Sequence, residues 1–127
     1  EQWGLLQCME PIFKILNKAT NWISTSKYPT LHQVIPTMDI LNDMLEKEFN
    51  DTARPAVIHR AIQRGIIVLD KYYSLTDDSI MWKTAMLLHP RYHEKWFHNA
   101  KWEGSWVDTA VREAHRIWTQ AYKTTIT

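Results

Sequence analysis

Residues 31–49, LHQVIPTMDILNDMLEKEF, decide the fold class, because their apolar side chains recur at steps of three and four positions. That period places these side chains on one face of an α-helix. Pro36 lies close enough to the start of the stretch for its missing N–H to be tolerated. We therefore predict a helix from Leu31 to Phe49. Its apolar face consists of Leu31, Val34, Ile35, Met38, Leu41, Leu45 and Phe49.

The same period occurs on both sides of this stretch. A first helix is predicted over about Trp3–Ile23, where Pro11 either kinks the helix or separates two helices. Thr30 follows a turn rich in Ser, Thr and Pro, and it is expected to be the N-cap of the next helix. A third helix is predicted over about Arg54–Tyr73, and Gly65 in its middle indicates a close helix crossing. Its inward face is predicted to be Ile58, Ala61, Ile62, Gly65, Ile66, Leu69 and Tyr72.

For the C-terminal part of the chain we predict three shorter helices. The stretch Thr76–Ser79, with its pair Asp77-Asp78, is expected to cap a helix over Ile80–Leu88. Pro90 ends that helix and starts another through Tyr92, Trp96 and Phe97, and a last helix spans about Ser105–Tyr122. Only three glycines occur in the chain, too few for a fold built from hairpins. The predicted fold is therefore all-α, a single compact bundle of about five to six helices, with residues 1–127 forming one domain.

The net charge, the cysteine count and the length of the apolar runs exclude several classes of protein. A net charge of +1 lacks the basic excess of most dedicated nucleic-acid-binding domains. Cys8 is the only cysteine, which excludes an internal disulfide and a cysteine-based zinc site. No membrane partner is expected, because no apolar run approaches the length of a span. These features fit an intracellular protein, nuclear or cytoplasmic, and the start at Glu1 indicates a piece of a longer chain.

No residue pattern indicates catalysis. His89, His93 and His98 invite a metal hypothesis, but Pro90 interrupts the helical face that paired ligands would need, so surface or capping histidines are favoured. On the second predicted helix, the acidic residues are expected to form a solvent-exposed face: Asp39, Asp43 and Glu46. There is no glycine-rich phosphate loop. We predict no catalytic residue, metal, cofactor or small-molecule substrate for this chain.

Seven tryptophans are the unusual feature, and four of them, from Trp96 to Trp118, lie among cations. Such aromatics can form a core, stack on nucleic-acid bases or build a protein interface; the core is favoured, and the other two interpretations stay open. The predicted DNA contacts are Arg91, Lys95, Lys101, Arg112 and Arg116, with Trp102 as a stacking residue. A second group of cations lies on the third helix, either as a solvated face or as a stripe that contacts phosphates. It comprises Arg54, His59, Arg60, Arg64 and Lys71.

Four motifs in order resemble the hAT superfamily of DNA transposases, in the form carried by fungal elements. The first is formed by LDKYYSLTDD at 69–78 followed by TAMLLHPRY at 84–92. The helix that contains FKILNKAT at 13–20, the turn YPTL at 28–31 and the helix at 106–122 are similar to further family motifs. Many members of that superfamily have aspartate at the position that His89 occupies in TAMLLHPRY.

The resemblance implies part of the large helical insertion that interrupts the family's ribonuclease-H-like core. The catalytic acids, and the Mg²⁺ that the parent core would use, would lie outside this chain. The leading expectation is therefore a scaffold segment that contributes to DNA binding and assembly and is not an enzyme by itself. The alternative is a domesticated module for protein interaction or oligomerisation. An exposed patch around Met81, Trp82, Trp96 and Phe97 would mark that alternative.

Overall fold

The computed structural model describes residues 1–123, without the side chain of Asp77. Within that range the chain forms six α-helices and no strand, which confirms the predicted all-α fold class. A 3₁₀ turn, Leu31–Gln33, precedes the second helix, and a π-helical segment, Trp118–Tyr122, follows the last. The helices are α1 Gln2–Ile23, α2 Val34–Phe49, α3 Ala56–Asp77, α4 Ile80–Leu88, α5 His93–Asn99 and α6 Gly104–Ile117.

Two predicted helix boundaries can be compared with the structure. Of the two possibilities left open at Pro11, a boundary is excluded, because helix α1 continues through it. Thr30 occupies the predicted N-cap position, before the 3₁₀ turn that begins at Leu31, but its hydroxyl makes no capping bond there and donates to the carbonyl of Ile23 at 3.0 Å. The Thr30 hydroxyl thereby gives a hydrogen-bond donor to a carbonyl at the C-terminal end of α1, where helical carbonyls lack partners within the helix.

The start of α4 is capped within the predicted stretch. The side chain of Ser79 accepts from the backbone N–H of Met81 at 3.4 Å. Thr76 belongs to α3, which runs four residues past Tyr73, and its hydroxyl donates to the Tyr73 carbonyl at 2.6 Å. The capping role predicted for Asp77 lies outside the described side chains.

The helices form two compact units, residues 1–77 and residues from 78 onward. In the N-terminal unit, α2 packs against both α1 and α3. Its buried residues include the cluster Leu45, Ile58 and Ile62, with Leu41 and Leu69 packed against it. None of the helices in the described part of the chain combines the length and apolar character that a membrane span requires.

In the C-terminal unit, α6 packs against α4 and α5. Met86 from α4, Phe97 from α5, and Val107 and Ala110 from α6 are all buried. The unit is therefore held by one apolar side chain from each short helix and two from the long one. Burial of large apolar side chains is the dominant stabilising term in such a core.

Gly65 does not mark a helix crossing. A Cβ placed on it would meet no atom within 4 Å, so the close approach predicted from its position is wrong. The residue instead faces the open side of α3, where its lack of a side chain leaves space.

We expect Gly65→Ala to raise the free energy of unfolding by about 0.5–1 kcal/mol, because alanine loses less backbone entropy in a helix and meets no obstacle here. Urea unfolding followed by far-UV circular dichroism measures this. Gly104→Ala, at the first position of α6, is the control and should give a smaller gain. A loss of stability in Gly65→Ala would show that the space around residue 65 is filled.

Candidate functional site

A large apolar groove opens along the N-terminal unit, with a volume of about 710 Å³. Helices α1 and α3 form its walls and α2 forms its floor. The α1 wall consists of Leu5, Met9, Ile12, Phe13 and Leu16, and the floor of Met38, Leu41 and Leu45. The α3 wall comprises Val57, Ala61, Gly65, Val68 and Tyr72, and Arg64 is the only charged side chain that the described part of the chain contributes to the lining.

The groove walls are uncovered apolar surface. Phe13 on α1 is 56% exposed, and Val68 on α3 is 54% exposed. Ala61, Gly65 and Tyr72 were predicted to face inward, but all three are exposed in the structure. The reason is geometric: α2 covers only the part of α3 that carries Ile58, Ile62 and Leu69, and the apolar face of α3 is wider than that contact. This exposed apolar surface makes the groove a candidate binding site.

The dimensions of the groove match a helix. Its lining runs from Leu5 to Leu16 on α1 and from Val57 to Tyr72 on α3, which corresponds to walls of about 17 Å and about 22 Å at 1.5 Å per residue. A helix of about four turns has this length. Two walls and a floor made of helices leave the position that a fourth helix occupies in a four-helix bundle.

The two edges of the groove differ in charge. Arg60, Arg64 and Lys71 on α3 are exposed and fall within an arc of about 40° at 100° per residue. Among the described residues, no acid forms an ion pair with any of the three. On the α1 side, Glu10 and Lys14 are paired at 2.8 Å, and this bond holds the pKa of Glu10 below its usual value.

The other two cations of the predicted α3 cluster have structural roles. Arg54 is mostly buried and pairs with Glu48 and with Asp51, whose carboxylate lies 3.4 Å from the guanidinium Nε. The His59 ring nitrogen Nε2 lies 2.8 Å from the carbonyl of Asp51. These contacts fix the connection between α2 and α3. Only Arg60, Arg64 and Lys71 therefore remain as a surface stripe.

The acids of α2 also separate into two kinds. Asp43 and Glu46 are exposed, as the predicted solvated face requires, but Asp39 is half-buried. Burial raises the pKa of Asp39, the hydroxyl of Tyr73 offsets this by donating to the carboxylate, and the nearby charge of Asp43 raises the pKa further. This carboxyl joins α2 to α3 and is not part of the groove lining.

Aromatic rings of the C-terminal unit form its core. Phe97 is buried and packs edge-on against Trp102 at 4.9 Å and Trp96 at 5.4 Å between ring centroids. Trp102 also contacts the ring of Trp106 at 6.3 Å and has the Lys83 ammonium 5.7 Å from its centroid. Trp102, predicted to stack on DNA, is thus half-buried in an aromatic cluster.

The exposed patch predicted around Met81, Trp82, Trp96 and Phe97 does not form. Phe97 is fully buried, Trp82 and Trp96 are half-buried, and only Met81 is exposed. The rings of Trp96 and Phe97 are drawn into the core because the short helix α5 must bury its large apolar side chains within its own unit.

The cations predicted to contact DNA are on the surface of the C-terminal unit. Arg91, Lys95, Lys101, Arg112 and Arg116 are all exposed. Arg112 and Arg116 lie one turn apart on α6, and Arg116 bonds to Glu113 at 2.9 Å and to Gln120 at 2.8 Å. Residues 78–127 hold seven lysines and arginines against five acids. The structure brings Arg112 and Arg116 together but shows no built phosphate site.

The histidine region is organised as a turn. Nδ1 of His89 accepts a hydrogen bond from the backbone N–H of Arg91 at 3.2 Å, across Pro90. His89 therefore caps the helix break, as the sequence predicts. Within residues 1–123 as described, no three His, Cys, Asp or Glu side chains are grouped closely enough to hold a metal ion.

Comparison of the chain with protein-family models, curated proteins and solved structures finds no match. The resemblance to hAT transposases therefore stays a prediction that rests on the sequence motifs. The groove, in contrast, was not predicted from the sequence. The available signal was the width of the apolar faces on the first and third helices, which exceeds what one neighbouring helix can cover.

Proposed function

We propose that this chain is a protein-interaction module whose N-terminal unit binds an amphipathic helix of a partner protein in the groove. The observation that carries the proposal is the groove itself, with two apolar walls about half exposed to water. Placing an amphipathic helix in such a groove is a recurring mode of recognition, in which residues at i, i+3, i+4 and i+7 enter it.

The shape favours a helix over a small molecule. A ligand pocket usually encloses its ligand and presents a few convergent polar groups. This groove is open along its length and its lining holds a single charged side chain, Arg64. A helix of about four turns would cover Phe13 and Val68 together and complete a four-helix arrangement.

The proposal agrees with the interaction-module alternative drawn from the sequence, but it rests on different residues. In a transposase-like parent, the module would act as a helical scaffold that contributes no catalytic residue. The C-terminal aromatic residues then hold their own unit together, and the groove holds the partner.

A synthetic peptide tests this function. A fluorescein-labelled peptide of about 18 residues, with leucines at i, i+3, i+4 and i+7 spacing on an Ala/Gln background, is long enough for the groove. We expect saturable binding with a Kd of about 1–100 μM by fluorescence anisotropy, with a gain of helical circular dichroism. A peptide of the same composition with alternating leucines is the control. Equal binding of both peptides, or of neither, would contradict the proposal.

A second candidate, DNA contact by the C-terminal unit, is favoured by the exposed cations Arg112 and Arg116. Near them the exposed rings of Trp118 and Tyr122 stack at 6.3 Å with an angle of 8° between their planes. The expected result is binding of a labelled duplex that weakens about tenfold or more between about 50 and 200 mM salt. Arg112→Glu with Arg116→Glu should abolish it, whereas Glu113→Gln should not. No binding at low salt would exclude this candidate.

A further inference from the structure

We propose that the helix bound in the groove carries acidic side chains along the flank that faces α3. This inference rests on the proposed helix-binding function and specifies the chemistry of the partner. The groove determines which face of the partner must be apolar. The row of cations along the α3 edge determines what must lie beside that face.

The spacing of Arg60, Arg64 and Lys71 shows that the three cations form a row along the axis of α3. Arg64 follows Arg60 by four residues and Lys71 follows Arg64 by seven, so they lie one turn and two turns apart on the same side of α3. Their positions are next to those of Val57 and Val68 around the helix, and Arg64 itself lines the groove. Any helix that covers the apolar wall therefore passes beside all three cations.

The cations have no acidic partner within the described chain. Their own helix carries Asp70, but that residue lies about 100° around the helix from Lys71. On the α1 side, Glu10 and Lys14 pair at 2.8 Å, and Lys18, one turn further on, lies over the ring of Trp22. The α3 edge carries three cations without an acidic partner among the described residues, and charge complementarity therefore selects an acidic flank on the side of the partner that faces α3.

Two other occupants fit less well. A nucleic acid would satisfy the cations but would leave the apolar walls around Phe13 and Val68 exposed. A second copy of this chain that inserted its own α3 would bring the same cations against this edge, and like charges disfavour that arrangement. An acidic amphipathic helix satisfies the walls and the edge together.

Three peptides with the same leucine positions test the inference. They differ only on one flank, which carries four glutamates, four glutamines or four lysines. One acidic flank is sufficient. A helix can lie in the groove in either of two directions, and one of them turns the acidic flank toward α3. We expect the glutamate peptide to bind about tenfold more tightly than the glutamine peptide, from exposed ion pairs, and the lysine peptide most weakly. At about 0.5 M salt the differences should largely disappear.

Charge reversal assigns the effect to the α3 edge. Arg60→Glu with Lys71→Glu should abolish the preference for the glutamate peptide over the glutamine peptide. Lys27→Glu with Lys47→Glu changes the net charge equally at exposed positions outside the groove lining, and it should preserve most of the preference. Circular dichroism checks that both variants keep the helical content of the parent.

The failures of the two proposals are distinguishable. Equal binding of the glutamate and glutamine peptides would overturn the acidic-flank inference and leave the helix-binding function standing. Absence of binding by all three peptides would overturn both. If a duplex DNA displaced the glutamate peptide and lost affinity in Arg60→Glu with Lys71→Glu, the cations would be a phosphate-binding stripe and the inference would be wrong.

Discussion

Replacing Phe97 by alanine is expected to lower the free energy of unfolding of the C-terminal unit by about 3–5 kcal/mol. Phe97 has 0% of its surface exposed, and it packs between the half-buried rings of Trp96 and Trp102. Its loss removes apolar contact area and leaves a cavity that short helices can close only in part.

Thermal and urea unfolding followed by far-UV circular dichroism measure this effect. Trp106→Ala is the matched control, because Trp106 belongs to the same aromatic cluster but is 60% exposed. It should cost less than about 1 kcal/mol. If Trp106→Ala destabilised the unit as much as Phe97→Ala, the aromatic residues would not form a core centred on α5. The readings of these rings as a base-stacking or partner-binding surface would then regain support.

The helices themselves were predictable because each needs only a local pattern. Helix α4 matches its predicted range, Ile80–Leu88, since Ser79 and Pro90 limit it on both sides. Helix α2 begins three residues later than predicted, because Leu31–Gln33 forms a tighter 3₁₀ turn. The apolar period indicates that a helix exists, and it does not distinguish these two geometries in the first turn.

The site was not predictable in the same way, because exposure depends on which elements surround a helix. The sequence shows that Ala61, Gly65 and Tyr72 lie on the apolar face of α3, but it does not show that α2 leaves them uncovered. Phe97 gives the opposite case, since a pattern of aromatics and cations is compatible with a surface as well as with a core. Periodicity assigns a residue to a face, and tertiary packing decides whether that face is covered.

Val68→Asp is expected to weaken binding of the neutral leucine peptide by about 30-fold to 100-fold, because binding would remove the new carboxylate from water and place it against the apolar face of the peptide. In the free chain Val68 is 54% exposed on the α3 wall, and valine and aspartate have similar helix propensities. The free energy of unfolding should therefore change by less than about 0.5 kcal/mol. Anisotropy titration measures the first effect and urea unfolding the second.

Ile67→Asp is the matched control for this prediction. Ile67 is the preceding residue, is 58% exposed and does not line the groove. Each new carboxylate has a cation four residues away, Arg64 for position 68 and Lys71 for position 67, so the local electrostatics are comparable. An equal loss of binding in both variants would mean that the peptide responds to charge on α3 in general. A loss confined to Val68→Asp would place the peptide against the groove wall, because the two variants differ chiefly in the direction of one side chain.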